Sequence, residues 1–276
     1  MKRLDENAET PDDVIRYLKS RSIQMLRFGA VLHQIEVREK IFVALFSKGN
    51  EEFQTVYIPV KERGKSAYVA EFEKRNLSVL TSKECQLVKF LEVKKIPHIS
   101  FEIEDCQEYR MIQEYYGDYI AKRSGAYLMD HIDEGRALLQ WIGASDTAHR
   151  AYCLHPLLQS DNDLSDNFKR DWTEVNPQAL LAAMEYRAIA NDYLSQRSIL
   201  SLDEVKLSVL KDVNDMLIAD KVQNRKDFEK YHKGKHTRSN ELEIYFKNWL
   251  EILKVSEDQY QHFVEKLSVE PKIVYL

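Results

Sequence analysis

The chain has 276 residues, 44% of them hydrophobic and 31% charged, with 40 Lys+Arg against 45 Asp+Glu and a formal charge of -5, enough for one large or two ordinary globular domains. The basic residues are spread along the whole length, which argues against a nucleic-acid partner, and no stretch reaches the ~20 apolar residues of a membrane span. Cys85, Cys106 and Cys153 are odd in number and far apart, which excludes a disulfide framework or zinc knuckle and favours a reducing compartment.

The opening MKRLDENAETPDD has no apolar leader, so the expectation is a cytoplasmic protein. From Asp12 to about Arg21, Val14, Ile15 and Leu18 at helical spacing behind acidic residues predict a short leading helix. The segments VLHQIEV, KIFVALF and FQTVYIPV are rich in β-branched and aromatic residues, and Ser47-Lys48-Gly49-Asn50 reads as the turn of a hairpin. Ser82 to Lys95 predicts a helix closed by Ile96-Pro97, followed by a strand in HISFEIE. Residues 1-105 therefore read as a small α+β domain. From Gln107 onward, apolar faces of period 3.6 recur over 107–123, 126–143, 179–195, 202–224 and 239–254. Residues 106-276 read as an all-α domain, with Ser165–Pro177 and Lys233–Ser239 as its most loop-like stretches.

Candidate chemistry sits in the helical half. His33 and His98 stand alone in strand-like text and receive no role. His131, His155 and Asp220 each lie in apolar helical text, where an imidazole or carboxylate must be paired or metal-bound because burying an unpaired charge is costly. Two imidazoles and a carboxylate from three helices are ligand types for zinc, manganese or iron between the helices of a bundle. Pro156 predicts a helix end at His155, placing that imidazole at the mouth of the bundle. Lys221, Arg225, Lys226 and Arg187 could supply positive charge for a phosphate; the run from Lys221 to Lys226 otherwise reads as a solvated edge, and Arg187, beside Tyr186, as partly buried. His232 and His236 are four apart in a polar stretch that Gly234 marks as a loop, which could bind a phosphate or metal. Asp130, Asp133 and Glu134 read as surface charges, with Asp133-Glu134 able to orient a nearby ligand. Cys153 lies two residues before His155, on a different helical face, and reads as core rather than nucleophile.

His131 followed by Leu-Leu-Gln-Trp-Ile-Gly-Ala, then the helix ending at His155, and finally Ala219-Asp220-Lys221 with Asn224 resemble the HD superfamily of helical metal-dependent phosphohydrolases. The resemblance implies that His131, His155 and Asp220 are metal ligands. Position 156 is Pro where that family carries the Asp of its His-Asp pair. The alarmone hydrolase branch is a more distant likeness: its Leu-Ala-Asp-Arg-x-x-Asn-x-Arg helix compares with Ile218 to Arg225, and its Glu-Asp pair with Gln159-Ser160, leaving Asp161 and Asp163 close by. An uncharacterised HD-like family, in which a small residue follows the second His, resembles residues 128 to 225, with Tyr186-Arg187 matching its aromatic-Arg helix.

The reading that follows is one divalent metal (Mn, Fe or Zn) on His131, His155 and Asp220, Asp161 and Lys221 as catalytic groups, and Arg187, Asn224 and Arg225 binding the substrate. The substrate would be a small phosphorylated molecule or nucleotide, hydrolysed by an HD-like enzyme that could be a homo-oligomer. Two alternatives stand beside it: a binding or regulatory module that has lost its hydrolytic carboxylates, and a non-haem iron oxygenase on the same scaffold, which the His₂-carboxylate set also allows.

Overall fold

The computed structural model describes residues 11–38, 41–62, 65–70, 106–117, 119–121, 124–194 and 201–276. The helix expected over 82–95, the strand over 98–104, Cys85 and His98 lie outside the described residues. The chain divides into two units, Met1–Ile103 with Ser268–Leu276, and Glu104–Leu267.

In the first unit, helix α1 (Pro11–Leu26) buries Val14, Ile15, Leu18 and Met25. It runs five residues past the expected end because Ser22, Met25 and Leu26 extend the buried face. It stops where Gly29 takes φ 74°, a conformation that costs glycine nothing and other residues ~1–2 kcal/mol. Strands β1 (Ala30–Arg38), β2 (Ile41–Lys48), β3 (Glu51–Glu62) and β4 (Lys65–Ala70) follow, and β2 and β3 form the expected hairpin, Lys48 pairing with Glu51 around Gly49-Asn50. In β2, Phe42, Ala44 and Phe46 alternate into the core with the period of a strand. In β1 the inward set shifts parity from Ala30 and Leu32 to Ile35 and Val37, because a bulge lies between Leu32 and Gln34. His33 sits at that bulge, exposed, 2.5 Å from Ser47 Oγ.

The last strand, β5 (Lys272–Tyr275), pairs parallel with β1 and completes the order β4-β3-β2-β1-β5. Residues 268–276, placed by the sequence reading in the helical domain, therefore belong with the sheet. Ile273 packs on the first core, and Lys19 Nζ meets Glu270 at 2.8 Å. Four residues of KIVY are too short to declare a strand until an open edge is available.

The second unit contains α2 (Gln107–Tyr116), α3 (Leu128–Trp141), α4 (Asp146–Leu158), α5 (Asp161–Asn167), α6 (Pro177–Leu194), α7 (Lys211–Asp227), α8 (Ser239–Ile252) and α9 (Glu257–Leu267). Helix α4 is the central one: Ala148 and every residue from Ala151 to Leu158 are buried, and α2, α3, α5, α6 and α7 all pack on it. A helix apolar on all sides is what a bundle interior requires. Ser145 caps its start, accepting from Ala148 N at 3.1 Å. Helix α3 ends as Gly143 turns to φ 68° and Ala144 N bonds back to Leu139 O. Glu108, fully buried on α2, joins elements by accepting from Arg150 at 3.1 Å and from Asn176 N at 2.7 Å.

Helices α5 and α9 fall where no helix was expected. The seven residues of α5 are held by a capping box, in which Ser160 and Asp163 exchange side-chain and backbone bonds, and α9 buries only Tyr260 and Leu267, too thin a stripe to read as a period. Among the described residues no helix is long and apolar enough to cross a membrane.

Candidate metal centre

Helices α3, α4 and α7 each deliver one donor. His131 lies in the first turns of α3, His155 near the end of α4 and Asp220 in the middle of α7. Their ligand atoms all lie within 4.8 Å of one another, so the group can hold a metal ion. Nε2 of His131 is 3.2 Å from Nε2 of His155 and 3.7 Å from Asp220 Oδ1. His155 and Asp220 are buried, while 22% of the His131 side chain is exposed, so the centre opens on the His131 side.

Both imidazoles have their outer nitrogen occupied. His155 Nδ1 lies 2.7 Å from the carbonyl oxygen of Tyr152; a carbonyl can only accept, so Nδ1 carries the proton and Nε2 is left as a lone pair facing inward. The sequence explains why that carbonyl is free. In an α-helix it would accept from the N–H of residue 156, and Pro156 has none. Pro156 therefore does not end the helix, as its identity suggested; α4 continues to Leu158, and His155 is buried in the bundle instead of standing at its mouth. The imidazole fills the hydrogen bond that the proline leaves open.

His131 Nδ1 donates to Gln223 Oε1 at 2.7 Å. The orientation of that amide is fixed because its Nε2 donates to Glu134 Oε2 at 3.0 Å and to Asp227 Oδ2 at 2.7 Å. Two inward lone pairs 3.2 Å apart repel unless a proton or a cation lies between them, and the carboxylate of Asp220 adds the negative charge that favours a cation.

Asp220 is itself held on both oxygens, Oδ1 by Asn224 Nδ2 at 2.8 Å and Oδ2 by Lys221 Nζ at 2.7 Å. Burial alone would push its carboxyl up, but Lys221 and the two imidazoles outweigh that and bring it down to about 2. It is thus ionised and ready to bind a cation. Burial, then repulsion from His131, lowers His155 to about 3, which keeps it neutral, the form a metal ligand needs.

Two tyrosines flank the centre. Tyr152 places its hydroxyl 3.4 Å from His131 Nε2 and its ring centroid 4.7 Å from that of His155. The Tyr186 ring lies 5.0 Å from the His155 ring. Burial pushes the Tyr116 hydroxyl well up, with neighbouring Tyr115, Asp163 and Asp220 adding to the rise.

Of the remaining expected site residues, Lys221 and Asn224 support Asp220, and the others make contacts of their own. Lys221 is fully buried between Asp220 and the rings of Tyr245 and Trp249, 5.7 and 5.2 Å from Nζ; it holds Asp220 ionised and is closed off from solvent. Asn224 is a second support for the same carboxylate. Arg225 belongs to packing between α7 and α9: it makes two 2.8 Å bonds to Glu257, one of 3.0 Å to Glu229, and stacks 3.8 Å over Tyr260. Lys226 pairs with buried Glu134 at 2.9 Å. The run read as a solvated edge is buried because each of its cations has its own carboxylate.

Asp161 is exposed and ion-paired with Arg187, and is not one of the three converging ligands. Arg187 is partly buried, as expected. Asp133 and Glu134, read as surface charges, are buried: Tyr109 donates to Asp133 at 2.7 Å, and Glu134 orients His131 through Gln223, the role the sequence reading allowed for it. His232 ends a short π-helical turn, Gly234 has φ 74°, and His236 Nδ1 accepts from the Arg238 backbone, so this pair serves the loop. Cys153 is core. Gln223 and Tyr152 are the site-forming residues that sequence reasoning did not assign; Gln223 lies three positions after Asp220, a helical neighbour, and that spacing was its one available signal.

Comparison with protein-family models, curated proteins and solved structures finds no match to this chain.

Proposed function

We propose that the helical unit is an HD-like domain that binds one divalent metal, manganese, iron or zinc, on His131, His155 and Asp220, and hydrolyses a small phosphorylated molecule or nucleotide. The observation that carries this reading is the orientation of the donors: both Nδ1 atoms are committed outward, so both Nε2 lone pairs and an ionised carboxylate point at one spot. Three protein ligands leave coordination positions open, and a cation there supplies Lewis-acid polarisation of a phosphoryl oxygen and a more acidic water. Lys221 and Asn224 keep Asp220 ionised and oriented, and the Glu134–Gln223 pair fixes the His131 tautomer. Arg187 is the candidate for substrate phosphate: its pairing with exposed Asp161 is a surface ion pair worth ~0–1 kcal/mol, which a phosphate can displace.

The test is elemental analysis of tag-free protein beside His155→Ala and Asp220→Asn, followed by phosphate-release assays on nucleotides with the metal found. About one metal per wild-type chain, lost in both variants, and metal-dependent phosphate release are expected. A folded wild type that is metal-free and takes up none of manganese, iron or zinc would overturn the reading.

A further inference from the structure

The Tyr186 hydroxyl is buried and has no hydrogen-bond partner. Its helix, α6, packs on both α4 and α7, the helices carrying His155 and Asp220, and its ring lies 5.0 Å from the His155 ring at an interplanar angle of 57°. Asp220, on α7, acts on this phenol both as a charge and as a hydrogen-bonding group, yet the contact does not close into a hydrogen bond of normal geometry. Leaving a buried hydroxyl unsatisfied is costly, and a phenol beside a carboxylate ordinarily removes that cost by donating to it. Donors shared by one cation behave differently: bonds of ~2 Å to a common ion hold ligand atoms ~3–4 Å apart. The 3.7 Å between His131 Nε2 and Asp220 Oδ1 is such a spacing, and an orphaned phenol beside the same carboxylate fits it.

We propose that the Tyr186 phenol oxygen is a fourth donor to the ion at His131, His155 and Asp220, and that this set selects ferric iron. The inference rests on the three-ligand reading above and adds a donor and an oxidation state. Imidazoles suit zinc, copper, nickel and iron; a carboxylate and a phenolate, both hard oxygen donors, shift the choice to the hardest ion of that group. The cysteine on α4, Cys153, does not compete, since its Sγ donates to the His149 carbonyl. Binding breaks the phenol O–H bond and forms an iron–oxygen bond, with the proton released to solvent; iron supplied as ferric citrate needs no electron transfer.

The experiment adds ferric citrate to the full chain after chelator treatment and records the visible spectrum. A ferric ion bonded to phenolate absorbs in the visible by ligand-to-metal charge transfer, which imidazole and carboxylate ligands do not produce. The expected result is a coloured one-to-one adduct, while Tyr186→Phe binds ferric iron about tenfold or more weakly and without the band, and Tyr152→Phe keeps it. Resonance Raman of the wild-type adduct, which depends on no variant, is expected to show enhanced tyrosinate ring modes. A colourless ferric adduct, a band that survives in Tyr186→Phe, or one lost in Tyr152→Phe instead, overturns the assignment. Should zinc or manganese bind through His155 and Asp220 while the ferric adduct is colourless, this inference fails and the three-ligand centre stands. If no metal binds at all, both fail.

Discussion

Gly135 tests the packing behind the centre, because helix propensity and tertiary structure give opposite signs for Gly135→Ala. It lies in the middle of α3, where alanine is favoured over glycine by about 1 kcal/mol, so local reasoning expects a stabilised protein. In the structure a Cβ at this position would lie 2.1 Å from Tyr152 Cε1, 2.2 Å from Cζ and 2.3 Å from the hydroxyl oxygen, more than 1 Å inside the ~3.5 Å of a normal contact. Tyr152 is fully buried and packs on both imidazoles, so its ring has nowhere to swing. Overpacking costs typically 1–3 kcal/mol, and a required shift this large puts it near about 3. Subtracting the propensity gain leaves a net loss of about 2 kcal/mol, or a Tm lowered by about 4–8 °C for a unit of this size. Thermal and urea unfolding measured by circular dichroism would read it. In a Tyr152→Ala background the clash is gone and Gly135→Ala is expected to stabilise by about 1 kcal/mol, a coupling of about 3 kcal/mol in the double-mutant cycle. A single variant as stable as wild type or more so, or an additive cycle, would refute the reasoning.

Pro156→Ala restores an N–H that competes for the Tyr152 carbonyl, freeing His155 Nδ1. It is expected to raise stability by about 1 kcal/mol and weaken metal binding about tenfold; unchanged affinity in a metal titration would contradict the proposed tautomer lock. Burial pushes the Glu134 carboxyl up to about 7 against the pull of Lys226. A raised carboxyl contributes stability that is complete below its unfolded pKa of about 4.5 and lost as the pH rises through about 7; Glu134→Gln should therefore flatten the fall in Tm between pH 5 and 8, and an unchanged slope would show that Glu134 is not its source. Arg225→Ala should lower stability by about 1–2 kcal/mol through the lost bonds to Glu257 and the stack on Tyr260, with metal content unchanged. Full stability combined with weakened ligand binding would instead restore Arg225 to a substrate role.

How far the site was legible varies residue by residue. His131, His155 and Asp220 could be picked out because imidazoles and a carboxylate in apolar helical text need a partner. Their partners could not, since Gln223 is 92 positions from His131 and meets it across two helices. Lys221 and Arg225 read as solvated cations because a charge pattern along one helix does not show whether α8 or α9 will cover it. Pro156 misled for a related reason: a proline removes one hydrogen bond, and whether the helix then stops depends on what else can fill the vacancy.

Local patterns in the chain were enough for the division into an α+β part and a helical part, the leading helix, the Gly49-Asn50 hairpin, the long helices and the identity of the three candidate ligands, because periodicity, turn chemistry and the cost of burying polar groups act over short stretches of chain. Tertiary structure alone decided that KIVY at the C-terminus adds a strand beside β1, that Asp133 and Glu134 are interior, that the basic run of α7 is neutralised in place, and that two imidazole lone pairs face one carboxylate. Each of these depends on which distant segment lies opposite, and a pattern within one helix or strand carries no record of its neighbour.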